Sequence, residues 1–140
     1  MWLIEEKLTG SIIGAFYDVY NELGYGFREC VYEAAMEREL RRRGHRVDRQ
    51  VWMPLYYRGD LLMRDRIDML VDDKVIVENK AGVDLHQSAQ GQLYSYLKAA
   101  KRQIGLLFFF GPRAQFFRVI GPAQDRSGGS APSASIRDKT

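Results

Sequence analysis

The stretch "RIDMLVDDKVIVENKA", residues 66–81, decides the fold. Two aliphatic runs, Ile67 to Val71 and Val75 to Val77, are separated by Asp72, Asp73 and Lys74. That pattern reads as two strands joined by a tight connection. Each strand carries groups out of character. Asp68 sits within its strand, where aspartate is disfavoured and a buried carboxylate is costly unless paired. Glu78 and Lys80 stand two residues apart, so they share one face. The plain readings are a solvent-facing Asp68, or one paired with an arginine, and a surface Glu–Lys ion pair of small value.

Whether Asp68 and Glu78 share a site depends on the connection. A two-residue turn at 72–73 pairs 71 with 74, opposes 68 to 77 and turns Glu78 to the other face. A three-residue connection pairs 71 with 75 and sets 68 opposite 78, with Cβ atoms about 4.5–5.5 Å apart. Two carboxylates that close repel unless a divalent cation joins them or one holds its proton.

Outward from this hairpin the chain alternates cleanly. Leu8, Ile12, Ala15, Phe16, Val19 and Leu23 form one stripe of a helix expected near 5–22, which "GYG" (24–26) ends. A second helix is expected over about 28–43, with Tyr32, Ala35, Met36 and Leu40 inward and Gly44 closing it. "VDRQVWMPLYY" (47–57) is strand-like, and Pro54 marks an edge or a bulge. After the third strand a helix is expected over roughly 84–100, N-capped by Asp84. Its stripe is Leu85, Ala89, Leu93, Tyr96, Leu97 and Ala100. "IGLLFFF" (104–110) and "AQFFRVI" (114–120) complete the order α-α-β-β-β-α-β-β, an α/β fold with a mixed sheet and flanking helices. The expected domain is 1–121. From there to 140 the chain is poor in large aliphatic residues and reads as a disordered Gly/Pro/Ser-rich tail.

The bulk composition fits a single globular domain. The chain has 140 residues, of which 46% are apolar. No apolar run approaches the roughly 20 residues of a membrane span, and the N-terminus lacks a signal-peptide layout. A single cysteine, Cys30, excludes an intrachain disulfide and fits a cytoplasmic setting. The net charge of +3 is unevenly spread: residues 1–37 hold seven acids and two bases, residues 38–140 nineteen bases and eleven acids. Arg38, Arg41, Arg42, Arg43, Arg46 and Arg49 form a cluster suited to phosphates, or else a solvated helix end.

Two further polar residues fall on apolar stripes. Gln92 lies three residues after Ala89 and four before Tyr96; a glutamine bonded to nearby backbone is the plain alternative. Glu29 lies three before Tyr32, where a first-turn glutamate also suits the helix dipole. Taken together, two carboxylates, a lysine and an inward glutamine match metal-assisted phosphodiester hydrolysis. Oxygen ligands suit a hard cation such as Mg²⁺, and a lysine stabilises phosphate charge.

These residues resemble the PD-(D/E)xK nuclease superfamily, with its restriction-endonuclease-like core. More narrowly the chain resembles the small bacterial GxxExxY family, whose signature fits Gly26-Phe27-Arg28-Glu29-Cys30-Val31-Tyr32. The blocks "NELGYGFRECVYE" (21–33), "RIDMLVDDKVIVENKA" (66–81) and "QLYSYLKAAKRQIGLLFFFG" (92–111) carry the resemblance. It implies catalytic roles for Asp68, Glu78, Lys80, Gln92 and Glu29. Mg²⁺ or Mn²⁺ would be held by Asp68, Glu78 and the backbone carbonyl of Asn79. Relatives generally carry an apolar residue at Asn79, which is expected to turn away from the site and to be little constrained. The expected partner is nucleic acid, DNA in the first instance, with no membrane and with a homodimer left open. The alternatives are a noncatalytic nucleic-acid-binding or regulatory domain on the same fold, and a protein-interaction module.

Overall fold

A computed structural model describes residues 5–123 of the chain; the expected tail lies almost wholly outside them. Two helices come first, α1 (Glu6–Leu23) and α2 (Glu29–Arg42). Three strands follow, β1 (Val47–Tyr57), β2 (Asp60–Val71) and β3 (Val75–Ala81). Then come α3 (Ala89–Ala100), β4 (Ile104–Phe110) and β5 (Ala114–Ile120). The order is the one the periodicity predicts. The strands form one sheet in the order β1-β2-β3-β4-β5, parallel between β3 and β4 and antiparallel elsewhere. The parallel step needs a crossover, and α3 supplies it. Pro54 is accommodated because β1 is an edge strand.

Helices cover both faces. On one, Ile12, Phe16 and Val19 of α1 and Tyr32, Met36 and Leu40 of α2 pack on Val75, Val77, Leu106, Phe108 and Phe110. Phe16 stacks on Phe108 at 4.5 Å and Tyr32 on Phe110 at 4.2 Å between ring centroids. On the other, Ala89, Leu93, Tyr96, Leu97 and Ala100 of α3 pack on Ile76, Leu107, Leu70 and Ile67. Gly105 admits α3 so closely that an added Cβ would lie 2.8 Å from Leu93 Cδ1.

The helix start at Asp84 is corrected. α3 begins at Ala89, because the residues before it are held in local turns: the Ser88 N–H donates to His86 Nδ1 at 3.1 Å.

The first hairpin departs from plain alternation. Val47 and Val71 lie in the α1/α2 core, yet Val51, Met53 and Ile67 lie in the α3 core. A regular strand keeps 47, 49, 51 and 53 on one face. The switch occurs between the pairs Arg49↔Met69 and Val51↔Ile67, where Gln50 stands opposite Asp68 outside the ladder. Gln50 has φ 53°, the left-handed conformation that reorients the strand.

Candidate active site

The connection between β2 and β3 has three residues. Val71 pairs with Val75, Leu70 with Ile76 and Met69 with Val77, which sets Asp68 opposite Glu78. Asp72 and Asp73 both have positive φ, 52° and 60°, and the Lys74 N–H closes the turn on Val71 O at 3.0 Å. Asp72 is tied from three sides. Its N–H donates to Arg46 O at 2.9 Å, its Oδ1 accepts the Arg46 N–H at 2.8 Å, and its Oδ2 meets His45 Nδ1 at 2.7 Å.

Beyond Met69↔Val77 the regular ladder stops and side chains take over. The Asp68 N–H donates to Glu78 Oε2 at 3.1 Å, and the Asn79 N–H donates to Asp68 Oδ2 at 3.1 Å. Each carboxylate therefore binds the backbone of the strand opposite. The sheet parts at this point, and the gap is lined with acid.

Helix α2 closes the gap from above. Carboxylate oxygens of Glu29, Glu33 and Asp68 lie within 4.8 Å of one another. The helix is aimed by the glycine turn before it: the Tyr32 hydroxyl donates to Gly24 O and accepts the Phe27 N–H at 3.1 Å. These two hydrogen bonds tie Tyr32 to the turn, which points Glu29 at the strands. Glu33 was absent from the sequence reading. Its signal is its position four residues after Glu29 on one helical face, where like charges repel and need a reason.

The electrostatics agree with the geometry. Burial pushes the Glu78 carboxyl up to about 8, helped by the Asp68 charge, and Glu78 is 5% exposed. Burial also raises Asp68, against the Asn79 N–H and the charges of Lys80, Arg49 and Arg66. Glu29 and Glu33 are raised by burial and by Asp68, with Lys80 opposing in both. Tyr96, below on α3, is pushed up to about 12 by burial and then by Glu78, Asp65 and Asp68. Lys80 enters no ion pair among the described residues, so its charge acts on the whole acidic set.

Other expected residues fare differently. Gln92 is exposed near the start of α3, and its side chain bonds none of the acids; the inner stripe runs through Ala89, Leu93 and Tyr96 instead. Asn79 is fully buried on the α1/α2 side, against the expectation of a little-constrained position. Its Nδ2 approaches Met69 Sδ at 3.8 Å. Most of the arginine cluster is occupied within the protein. Arg41 pairs with Glu37, Arg42 with Glu39, Arg43 with Glu39 and Asp18, and Arg46 with Asp48. Arg49 pairs with Glu33 at 3.3 Å and with Glu37 at 2.7 Å, so it belongs to the acidic site's surround. Of the six, Arg38 alone enters no ion pair among the described residues, and it is exposed. The solvated helix end describes α2 better than a dedicated phosphate cluster does.

Comparison with known proteins gives the same frame. The model of the PD-(D/E)XK nuclease superfamily matches residues 6–119. The chain belongs to that superfamily. No curated protein matches it. A solved structure described as "Crystal structure of SSO0001" is similar at 15% identity with a TM-score of 0.54. The match covers 67% of this chain and 51% of that one, so the chain spans about half of its length and the likeness is one of fold. Among the described residues no helix is long and apolar enough to cross a membrane.

Proposed function

We propose that this nuclease-superfamily domain, residues 1–121, hydrolyses phosphodiester bonds of nucleic acid, DNA in the first instance, with Mg²⁺ or Mn²⁺. The observation that carries the reading is the gathering of Asp68, Glu29 and Glu33 oxygens within 4.8 Å beside buried Glu78. Acids packed so tightly hold their protons or take a cation, and a set made only of oxygen donors suits a hard divalent ion. Asp68 and Glu78 would hold it, with the Asn79 carbonyl beside them and Glu29 and Glu33 reaching in from α2. When bound, the ion supplies charge for the phosphate and lowers the pKa of water.

The chain's own residues do the rest. Lys80, two residues after Glu78 on the same strand face and without an ion pair among the described residues, stabilises negative charge as it builds on the phosphate. Asp68 and Glu78, each fixed by the opposite backbone, hold their oxygens in place before substrate arrives. Glu29, held near Asp68 and Glu33, would accept a proton from the attacking water. Gln92, exposed at the rim, contacts substrate rather than the acids. The Gly26–Glu29–Tyr32 spacing supports placing the chain in the GxxExxY group, because Tyr32 makes the bonds that aim Glu29.

The test is cleavage of labelled DNA in Mn²⁺ by wild type, Asp68→Ala and Lys80→Ala. Loss in both variants supports the site. Equal cleavage in all three rejects it, and salt-sensitive DNA binding without cleavage or metal uptake favours a noncatalytic binding domain.

A further inference from the structure

Past Leu55 the β1–β2 hairpin leaves the body of the domain. Every residue from Tyr56 to Arg64 is exposed on both faces of the ribbon. The arm is nonetheless rich in large rings and aliphatic groups: Trp52 is 45% exposed, Tyr56 62% and Tyr57 59%. Interleaved with them are Arg58, Arg64 and Arg66. Two of these guanidiniums lie over rings, Arg66 at 5.0 Å from the Trp52 centroid and Arg58 at 5.4 Å from that of Tyr57. None of the three enters an ion pair among the described residues. The arginines at 41–49 are paired, whereas those of the arm are not.

The arm's facing matters as much as its composition. Val51, Met53 and Ile67 turn inward to α3. Their alternates Trp52, Arg66 and Arg64 therefore point to the opposite side, the side of α2. Trp52 pairs with Arg66 and Pro54 with Arg64 across the ribbon. This strip starts two residues from Asp68, and the Arg66 charge is felt there. A cationic, ring-bearing strip thus runs outward from an acidic site that would by itself repel a polyanion.

Resting on the nuclease reading above, we propose that the β1–β2 arm binds an unpaired stretch of nucleic acid next to the acidic site. The register shift between Leu55 and Tyr56 brings Tyr57, opposite Asp60, to the face of Trp52, Arg64 and Arg66. Trp52 and Tyr57 stack on bases, and Arg58, Arg64 and Arg66 hold phosphates. Ring faces are useful only to bases that are out of the helical stack, which is why the arm favours single-stranded over duplex segments. A second copy of the chain fits less well. A two-fold contact through this strip would bring Arg64 and Arg66 toward their own copies, with Asp65 on the other face.

Binding is measured in EDTA by anisotropy of labelled oligothymidine and of a blunt duplex, so that cleavage plays no part. Single strands should bind about tenfold or more tighter than duplex and quench Trp52 emission in a Trp2→Phe background. Trp52→Ala should weaken single-strand binding about tenfold. Arg64→Ala with Arg66→Ala should lower the salt slope by about 1.4, at roughly 0.7 per phosphate contact. Unchanged circular dichroism and urea midpoints keep misfolding out of the comparison.

Equal binding of the two substrates, or single-strand binding indifferent to Trp52→Ala, overturns the inference. So does a dimer in sedimentation that Trp52→Ala converts to monomer, which would assign the arm to a second copy. Trp52-dependent single-strand binding without cleavage would fail the nuclease reading alone. Cleavage that needs Asp68 but ignores Trp52 would fail the arm alone.

Discussion

Glu78→Gln should stabilise the metal-free protein at pH 8, although it removes a residue from the heart of the site. The Glu78 carboxyl is moved from 4.5 to about 8 by burial and by Asp68. A carboxylate raised in the folded state binds its proton more tightly folded than unfolded. Its contribution is therefore fully present below about pH 4.5 and is lost progressively as pH rises to about 8. At about 1.4 kcal/mol per unit the displacement corresponds to a ceiling of about 5 kcal/mol. The group is coupled to Asp68 and the folded state relaxes, so a few kcal/mol is the expected scale. Glutamine keeps an oxygen to accept the Asp68 N–H and carries no charge at any pH. The assay is urea denaturation in EDTA at pH 5, 6.5 and 8 for wild type and Glu78→Gln. Wild type should lose stability across that range relative to the variant, and the two should be closest at pH 5. Parallel profiles, or a variant less stable than wild type at pH 8, would refute the reasoning. Added Mn²⁺ should reverse the order in wild type, because a bound cation favours the ionised carboxylates.

Other perturbations test the scaffold. Tyr32→Phe keeps the ring on Phe110 but unbinds Gly24 O and the Phe27 N–H, costing about 1–3 kcal/mol in urea melts, with faster hydrogen exchange at Phe27. Asp72 is raised by partial burial, but the Arg46 N–H and the His45 ring outweigh that and hold it below 3.8. Its stabilisation is present above pH 3.8 and is lost as pH falls through the lower folded value, so Asp72→Asn should cost about 1–2 kcal/mol at pH 7 and progressively less as pH falls below 3.8. Gly105→Ala should cost about 1–3 kcal/mol by crowding Leu93, and the cost should shrink in a Leu93→Ala background when both are measured as a cycle.

The element order was legible because each segment obeys one period. The α1 stripe, the buried run of β4 and the tyrosine-rich edge of β1 leave little choice. The three-residue connection was legible only as a condition. Nothing in Asp72-Asp73-Lys74 states that both aspartates take positive φ; His45 and Arg46, far away in sequence, hold Asp72 there. The arginine cluster misled for a similar reason. Charge counted along the chain ignores partners, and Glu33, Glu37 and Glu39 lie one helical turn from the arginines they neutralise or directly beneath them. Gln92 is exposed although it stands between Ala89 and Tyr96, because a residue three or four positions from inward neighbours can still lie at the edge of the stripe.

The least legible feature links the two halves of the proposal. Gln50 is neither glycine nor asparagine, so no sequence rule marks it as left-handed. Yet its φ of 53° turns Val51 and Met53 toward α3 and Trp52 toward the α2 side. On the partner strand the same step frees Asp68 from the ladder, so that its carboxylate can take the Asn79 N–H and meet Glu29 and Glu33. A regular ribbon would have paired Gln50 with Asp68 and sent Trp52 to the other face. The irregularity that opens the acidic gap is therefore also what lays the stacking strip beside it, and a substitution that straightens the ribbon at Gln50 should disturb both together.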